Sequence, residues 1–273
     1  VTIVGVHGIG KYKYFEQGGG SPVKAAELML AKWNRYLHDG GFPGRDPVAE
    51  VAYYAHHLRK GAPQPPKKMA PPEKMVFTDW MRQVEDHRVA AAAGETLTAV
   101  AHRLAGWLLD RLGAGALRFA EDFCPEVATY LGGGAPRTSS RDAVAAVIRR
   151  RRPRVVIAHS LGSVVTYEAF WAHPDLRADL LVTLGSPLGM RNVVFERLAP
   201  LPVAGMGARP PGVGRWINVA DKDDIAAIPA ELRPVFKGVE RDVQCNIDWL
   251  DFHTVRNYLG CGVLNSHLRD FLQ

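Results

Sequence analysis

A serine hydroxyl is a poor nucleophile at neutral pH, and it becomes a good one only when a histidine takes its proton and an acid holds that histidine. The 273-residue chain carries the residue types for this arrangement. In Val155-Val156-Ile157-Ala158-His159-Ser160-Leu161-Gly162-Ser163-Val164-Val165 an apolar run stops at a serine between small residues, and a second apolar run begins at once. The pattern is G-x-S-x-G with Ala158 in place of the first glycine, the signature of a strand that bends sharply into a helix with the serine held out at the bend. Small flanking residues are required there, because strand and helix cross closely at a strained backbone. Ser160 is therefore the expected nucleophile.

The partners of such a serine come later in the chain, first an acid and then a histidine, each on a loop after a further strand. Asp221, Asp223 and Asp224 follow a strand-like run ending at Val219. Only one acid can orient the base, and the others form turns or caps. Asp224 is favoured, with Asp221 next. For the base, His253 lies just after the last strand-like segment, whereas His267 falls in a terminal helical stretch facing solvent, so His253 is preferred. His159 adjoins the serine but points away from it, and its expected role is packing or hydrogen bonding beneath the bend. The oxyanion that develops on an attacked carbonyl needs N–H donors. Leu161, which opens the helix after the bend, supplies one, and the loop His7-Gly8-Ile9-Gly10 is similar to the histidine-glycine oxyanion loops of lipases and esterases, a resemblance that implies Ile9 as the other. Residues 5–11 also fit G-x-x-x-x-G-K of a phosphate-binding loop, but Tyr12 stands where a small magnesium-binding hydroxyl is needed, so nucleotide hydrolysis is the weaker reading.

These side chains need an alternating scaffold to hold them. Residues 1–6 read as a short buried strand followed by a loop. Ser21 and Pro22 then start a helix with Val23, Leu30, Trp33 and Leu37 at helical spacing, ending at Gly40-Gly41. A second strand is expected over 48–54, and residues 61–72 hold five prolines, which favours extended chain. Residues 73–131 read as mainly helical, with Leu97, Val100, Leu104, Trp107, Leu108 and Leu112 in one apolar stripe. This block is either a lid or a layer packed on the core. Ser140 is expected to cap the next helix, and the cations at 149–152 complement that helix's C-terminal dipole before Pro153 stops it. Strands over 180–184 and 215–219, and an alternating Val243, Cys245 and Ile247, complete a βα pattern. It implies a mainly parallel sheet covered by helices on both faces.

Composition bounds the rest. With 47% hydrophobic and 23% charged residues the chain is of ordinary globular type, and its length suits one large α/β domain. No apolar run is long enough to span a membrane, and Val1 opens directly into a strand with no leader. Three widely spaced cysteines, Cys124, Cys245 and Cys261, suit free thiols in a reducing, cytoplasmic setting. The net charge of +6 comes visibly from the helix-end arginines, and with no nucleic-acid motif or stacking aromatics a nucleic-acid partner is not expected.

Taken together, His7-Gly8-Ile9-Gly10, Ala158-His159-Ser160-Leu161-Gly162, Gly185-Ser186-Pro187, the loop 218–224 and Asp251-Phe252-His253 make the chain resemble the α/β-hydrolase superfamily, in particular lipase-like bacterial serine hydrolases. The resemblance covers both ends and the centre and leaves residues 61–135 as an insertion. It implies one α/β-hydrolase domain over 1–273, a covalent acyl-enzyme on Ser160, proton relay by His253, no cofactor and no metal. The implied substrate is a small-molecule ester or acyl compound. Acyltransferase, thioesterase or cyclase chemistry would use the same residues, and a noncatalytic ligand-binding protein on the same fold is the alternative of another class. Acyl length, alcohol group and oligomeric state are not encoded in any of these motifs.

Overall fold

The computed structural model describes residues 2–43, 46–58, 63–84, 96–247 and 253–271. Asp251 and Phe252, quoted above beside His253, and Val1 lie outside the described residues, as do parts of the Pro-rich and helical segments. In chain order the elements are β1 (Ile3–Val6), α1 (Tyr12–Gln17), α2 (Pro22–Asp39), β2 (Val48–Ala52), α3 (Pro71–Val84), α4 (Leu97–Leu131), α5 (Gly134–Arg151), β3 (Val155–His159) and α6 (Leu161–Ala172). They continue as β4 (Ala178–Leu184), β5 (Gly207–Ala208), β6 (Val213–Ala220), β7 (Phe236–Lys237), β8 (Arg241–Gln244), α7 (Val255–Gly260) and α8 (Leu264–Leu268). Among the described residues no helix is long and apolar enough to cross a membrane.

Six strands form one sheet in the order β2-β1-β3-β4-β6-β8, every neighbouring pair parallel, and β5 and β7 make a separate parallel pair. The expected α/β architecture with a parallel central sheet is what the chain adopts. Strands buried on both faces must be largely apolar, and β1 is so throughout and β3 up to its last residue, His159. Their alternate side chains feed two separate cores. Val4, Val6, Val156, Ala158 and Leu181 join the core that holds the buried residues of α3 to α6, while Ile3, Val155, Ile157, Leu180, Val182 and Val219 join the core of α2, α7 and α8.

Parallel strands put all their C-terminal ends at one edge. From β1 the chain moves outward one way to β2, and from β3 it moves outward the other way through β4, β6 and β8. The crevice between β1 and β3 is thus the point where the winding reverses, the usual place for a site in an open α/β sheet. Residues 7–10 and Ser160 leave the sheet there side by side.

Several local expectations change. Ser140 does not cap a helix. Gly133 and Gly134, both at positive φ, let α5 begin immediately after α4, and Ser140 lies inside it with its hydroxyl donating to the Pro136 carbonyl. The cationic end of α5 is as expected, and its arginines pair with carboxylates: Arg149 with Asp175, Arg150 and Arg151 with Glu50. The loop after residue 10 contains the short helix α1. Ser21 does cap α2, accepting from the Lys24 N–H at 3.3 Å, but Val23 is exposed rather than part of the buried stripe. In α4, Val100, Leu104 and Leu108 are buried in the core, and Gly113, with φ +80°, breaks the helix into two stretches. All three cysteines are free thiols.

Candidate active site

Ser160 follows β3 and caps α6 with φ 56° and ψ −134°, a conformation that side chains rarely accept and that costs roughly 1–3 kcal/mol. It survives because the surroundings over-determine it. The Ser160 N–H donates to the Leu184 carbonyl of the neighbouring strand at 2.9 Å, and its own carbonyl accepts from the Ser163 hydroxyl at 2.6 Å. Since a carbonyl can only accept, Ser163 spends its proton there, and the 2.6 Å contact between Ser163 and Ser186 must run from the Ser186 hydroxyl. Ser186 in turn accepts from the Leu188 N–H. A chain of hydroxyls therefore ties the bend to the loop after β4.

His253, also at positive φ, brings its imidazole to the serine. Its Nε2 lies 2.6 Å from Ser160 Oγ, and its Nδ1 lies 2.8 Å and 3.0 Å from the two carboxylate oxygens of Asp224. A carboxylate accepts only, so the ring proton is on Nδ1 and Nε2 is left to accept from the serine. All three side chains are buried. Asp224 also accepts from the Ala226 N–H at 2.9 Å and from the Tyr258 hydroxyl at 2.7 Å. Burial by itself would raise the Asp224 carboxyl, but the adjacent His253 and the bonds from His253, Tyr258 and Ala226 outweigh it and hold the carboxyl below its ordinary range.

The other acids have different work. Asp221 accepts from the Ile247 N–H at 2.6 Å and the Asp223 N–H at 2.8 Å, so it joins the loop after β6 to the chain leaving β8. His267 sits half-buried on α8, where Arg215, Arg241 and Glu240 make up its electrostatic surroundings. His159 is buried under the bend, 4.8 Å from the His253 ring and 5.8 Å from Tyr258. Of its two expected roles it packs: among the described residues neither ring nitrogen has a hydrogen-bond partner, and burial, with the nearby His253, Lys11 and His7, drives its pKa well down.

The loop after β1 passes directly over the bend. A Cβ on Gly8 would lie 2.5 Å from Ser160 Cβ, and one on Gly162 would lie 2.2 Å from the His7 carbonyl oxygen, so both positions exclude any side chain. His7 fixes the loop from below. Its Nε2 accepts from the Tyr54 N–H at 3.1 Å, which leaves the proton on Nδ1 to donate to the Gly8 carbonyl at 2.7 Å, and Tyr54 donates its hydroxyl to the His7 carbonyl. Burial lowers the His7 pKa to about 3, so the ring stays neutral. Ile9 follows Gly8 in this clamped loop, and Leu161 opens α6 beside the serine. The phosphate-loop reading fails on the same geometry, because the Gly10 N–H is already bonded to the Glu126 carboxylate at 3.1 Å, where a phosphate would be repelled.

Three contributors have no signature in the sequence. Tyr258, on α7, grips Asp224. Phe119, on α4, sets its ring edge-on to the His253 imidazole at 5.0 Å. Trp80, on α3, donates its indole N–H to the Ile225 carbonyl beside Asp224 at 2.7 Å. Position in the chain could not reveal them, since each comes from an element far from the residue it touches. Among the described residues no group of His, Cys, Asp and Glu could hold a metal ion. Comparison with known protein families, with curated proteins and with solved structures finds no match to this chain.

Proposed function

We propose that the chain is a serine hydrolase of the α/β-hydrolase type that cleaves a carboxylic ester through an acyl-enzyme on Ser160. The observation that carries this reading is the imidazole of His253 held between Ser160 Oγ and the Asp224 carboxylate, with the serine in a strained bend between strand and helix. The order serine, aspartate, histidine, each beyond a successive parallel strand, supports the fold assignment. In the reaction, Ser160 Oγ attacks the carbonyl carbon while its proton passes to His253 Nε2. The oxyanion takes N–H bonds from Leu161 and Ile9. The C–O bond to the alcohol breaks as His253 returns the proton to it, and water, deprotonated by the same imidazole, releases the acid and frees the serine. Asp224 keeps its negative charge throughout and stabilises the imidazolium.

Hydrolysis of p-nitrophenyl esters from acetate to laurate, with wild type and Ser160→Ala side by side, tests the proposal. Turnover that vanishes in the variant supports it, whereas turnover that persists in the variant, or none with any chain length, counts against it. The burial of Ser160, at 0% exposure, favours acyl transfer or cyclisation as the second reading, since a site that excludes water protects an acyl-enzyme for another acceptor. Added alcohol or amine that diverts the acyl group from free acid to a new ester or amide would select it.

A further inference from the structure

One face of the C-terminal half of α4 touches both halves of the proposed machinery. Phe119, Asp122 and Glu126, spaced three and four apart, share that face. Phe119 meets the His253 ring, and Glu126 Oε1 accepts the Gly10 N–H at 3.1 Å across 116 residues of sequence. Gly10 has φ +68°, and a Cβ there would stand 2.9 Å from Asp122 Oδ2, so the loop is pressed directly onto the helix. Glu126 is only 3% exposed, and a carboxylate that deep is costly unless it is bonded. Lys11, the next residue of the loop, lies within the electrostatic reach of Asp122 and Glu126; burial pushes its ammonium pKa down and Tyr14 and these carboxylates oppose that shift.

The Gly10 nitrogen belongs to the peptide plane that begins at Ile9. Holding that N–H in one direction restricts the backbone of Ile9, and with it the direction of the Ile9 N–H one peptide earlier. From this we propose that Glu126 is a positioning residue, whose carboxylate aims the Ile9 N–H at the developing oxyanion and so makes the helical block part of the active site. The inference rests on the serine hydrolase reading. Hydrogen-bond donors to an oxyanion are worth about 10²–10³ in kcat each, and misdirecting one forfeits part of that.

The test crosses charge with reach, measured on the p-nitrophenyl ester that wild type hydrolyses best. Glu126→Gln removes the charge and keeps an acceptor at the same distance. Glu126→Asp keeps the charge and withdraws it by one methylene. Positioning predicts that Glu126→Asp lowers kcat and kcat/KM together by about 10–100-fold with KM nearly unchanged, the mark of an interaction made in the transition state, while Glu126→Gln retains most of the activity. Both changes are conservative, and near-UV circular dichroism reports that each variant is folded. Wild-type kcat in Glu126→Asp, or a Glu126→Gln as damaged as Glu126→Asp, overturns the proposal. Wild-type turnover that is absent, or that survives Ser160→Ala, overturns the hydrolase reading itself and this proposal with it, so the two failures are distinguishable.

Discussion

The serine side of the site and its acid–base side are built in opposite ways. Ser160 is set largely by its own segment: β3 delivers it, α6 departs from it, and Gly162 clears the space that the loop after β1 crosses. The proposed acid and base, Asp224 and His253, are assembled from two loops 29 residues apart, and Tyr258 holds Asp224. A local device is written in consecutive residues and resists displacement as a unit, whereas an assembled one depends on hydrogen bonds between separate loops and can be taken apart bond by bond.

That contrast predicts a graded response on the acid–base side. Asp224→Asn should leave the protein folded and cut kcat by about 10⁴, because an amide can hold the ring in the wrong tautomer. Tyr258→Phe removes one hydrogen bond to a charged group, worth about 1.5–3 kcal/mol, and should lower kcat by roughly 10–100-fold without abolishing it. Asp221→Asn should keep kcat within a few-fold and lower stability by about 1–3 kcal/mol, since its oxygens bond backbone N–H groups of two loops. Steady-state kinetics and urea unfolding on the three variants check the ranking, and an Asp221→Asn more catalytically damaged than Asp224→Asn would exchange their roles.

The serine side has its own, smaller signature. Burial keeps His159 and His7 neutral in the folded protein, His7 down to about 3, while in the unfolded chain both take a proton near the ordinary 6.5. The unfolded state then binds more protons, so stability is full above that pH and falls as the pH drops through it, by about 1.4 kcal/mol per unit for each imidazole. Among the described residues His159 has no hydrogen-bond partner for either ring nitrogen. His159→Met should therefore flatten the slope of unfolding free energy against pH between 6 and 5 by about one proton's worth. An unchanged slope would mean that His159 already carries its proton in the folded state.

The same contrast explains what the sequence made legible. The bend at Ser160 between a strand and a helix could be read from residues 155–165, because the pattern is contiguous. The C-terminal location of the acid and base followed from βα alternation, but choosing Asp224 from three aspartates required knowing which carboxylate faces the ring. Ser140 departs from its expected role because a serine before an amphipathic run is the signal of a cap, and the two glycines that start α5 earlier override it. Tyr258, Phe119 and Glu126 were invisible for a different reason. Their roles come from tertiary contacts of α4 and α7, and nothing about a tyrosine, phenylalanine or glutamate in a helix announces such a partner.

The central claim is that Ser160 Oγ is made nucleophilic by His253. An alkyl fluorophosphonate reports this directly, because it bonds only to an activated serine, with fluoride leaving, and its site can be read by peptide mass spectrometry. One adduct is expected, on Ser160, that disappears in Ser160→Ala and is suppressed in His253→Ala but forms normally in His267→Ala. An adduct on another serine, or Ser160 labelling that proceeds undiminished without His253, would contradict it.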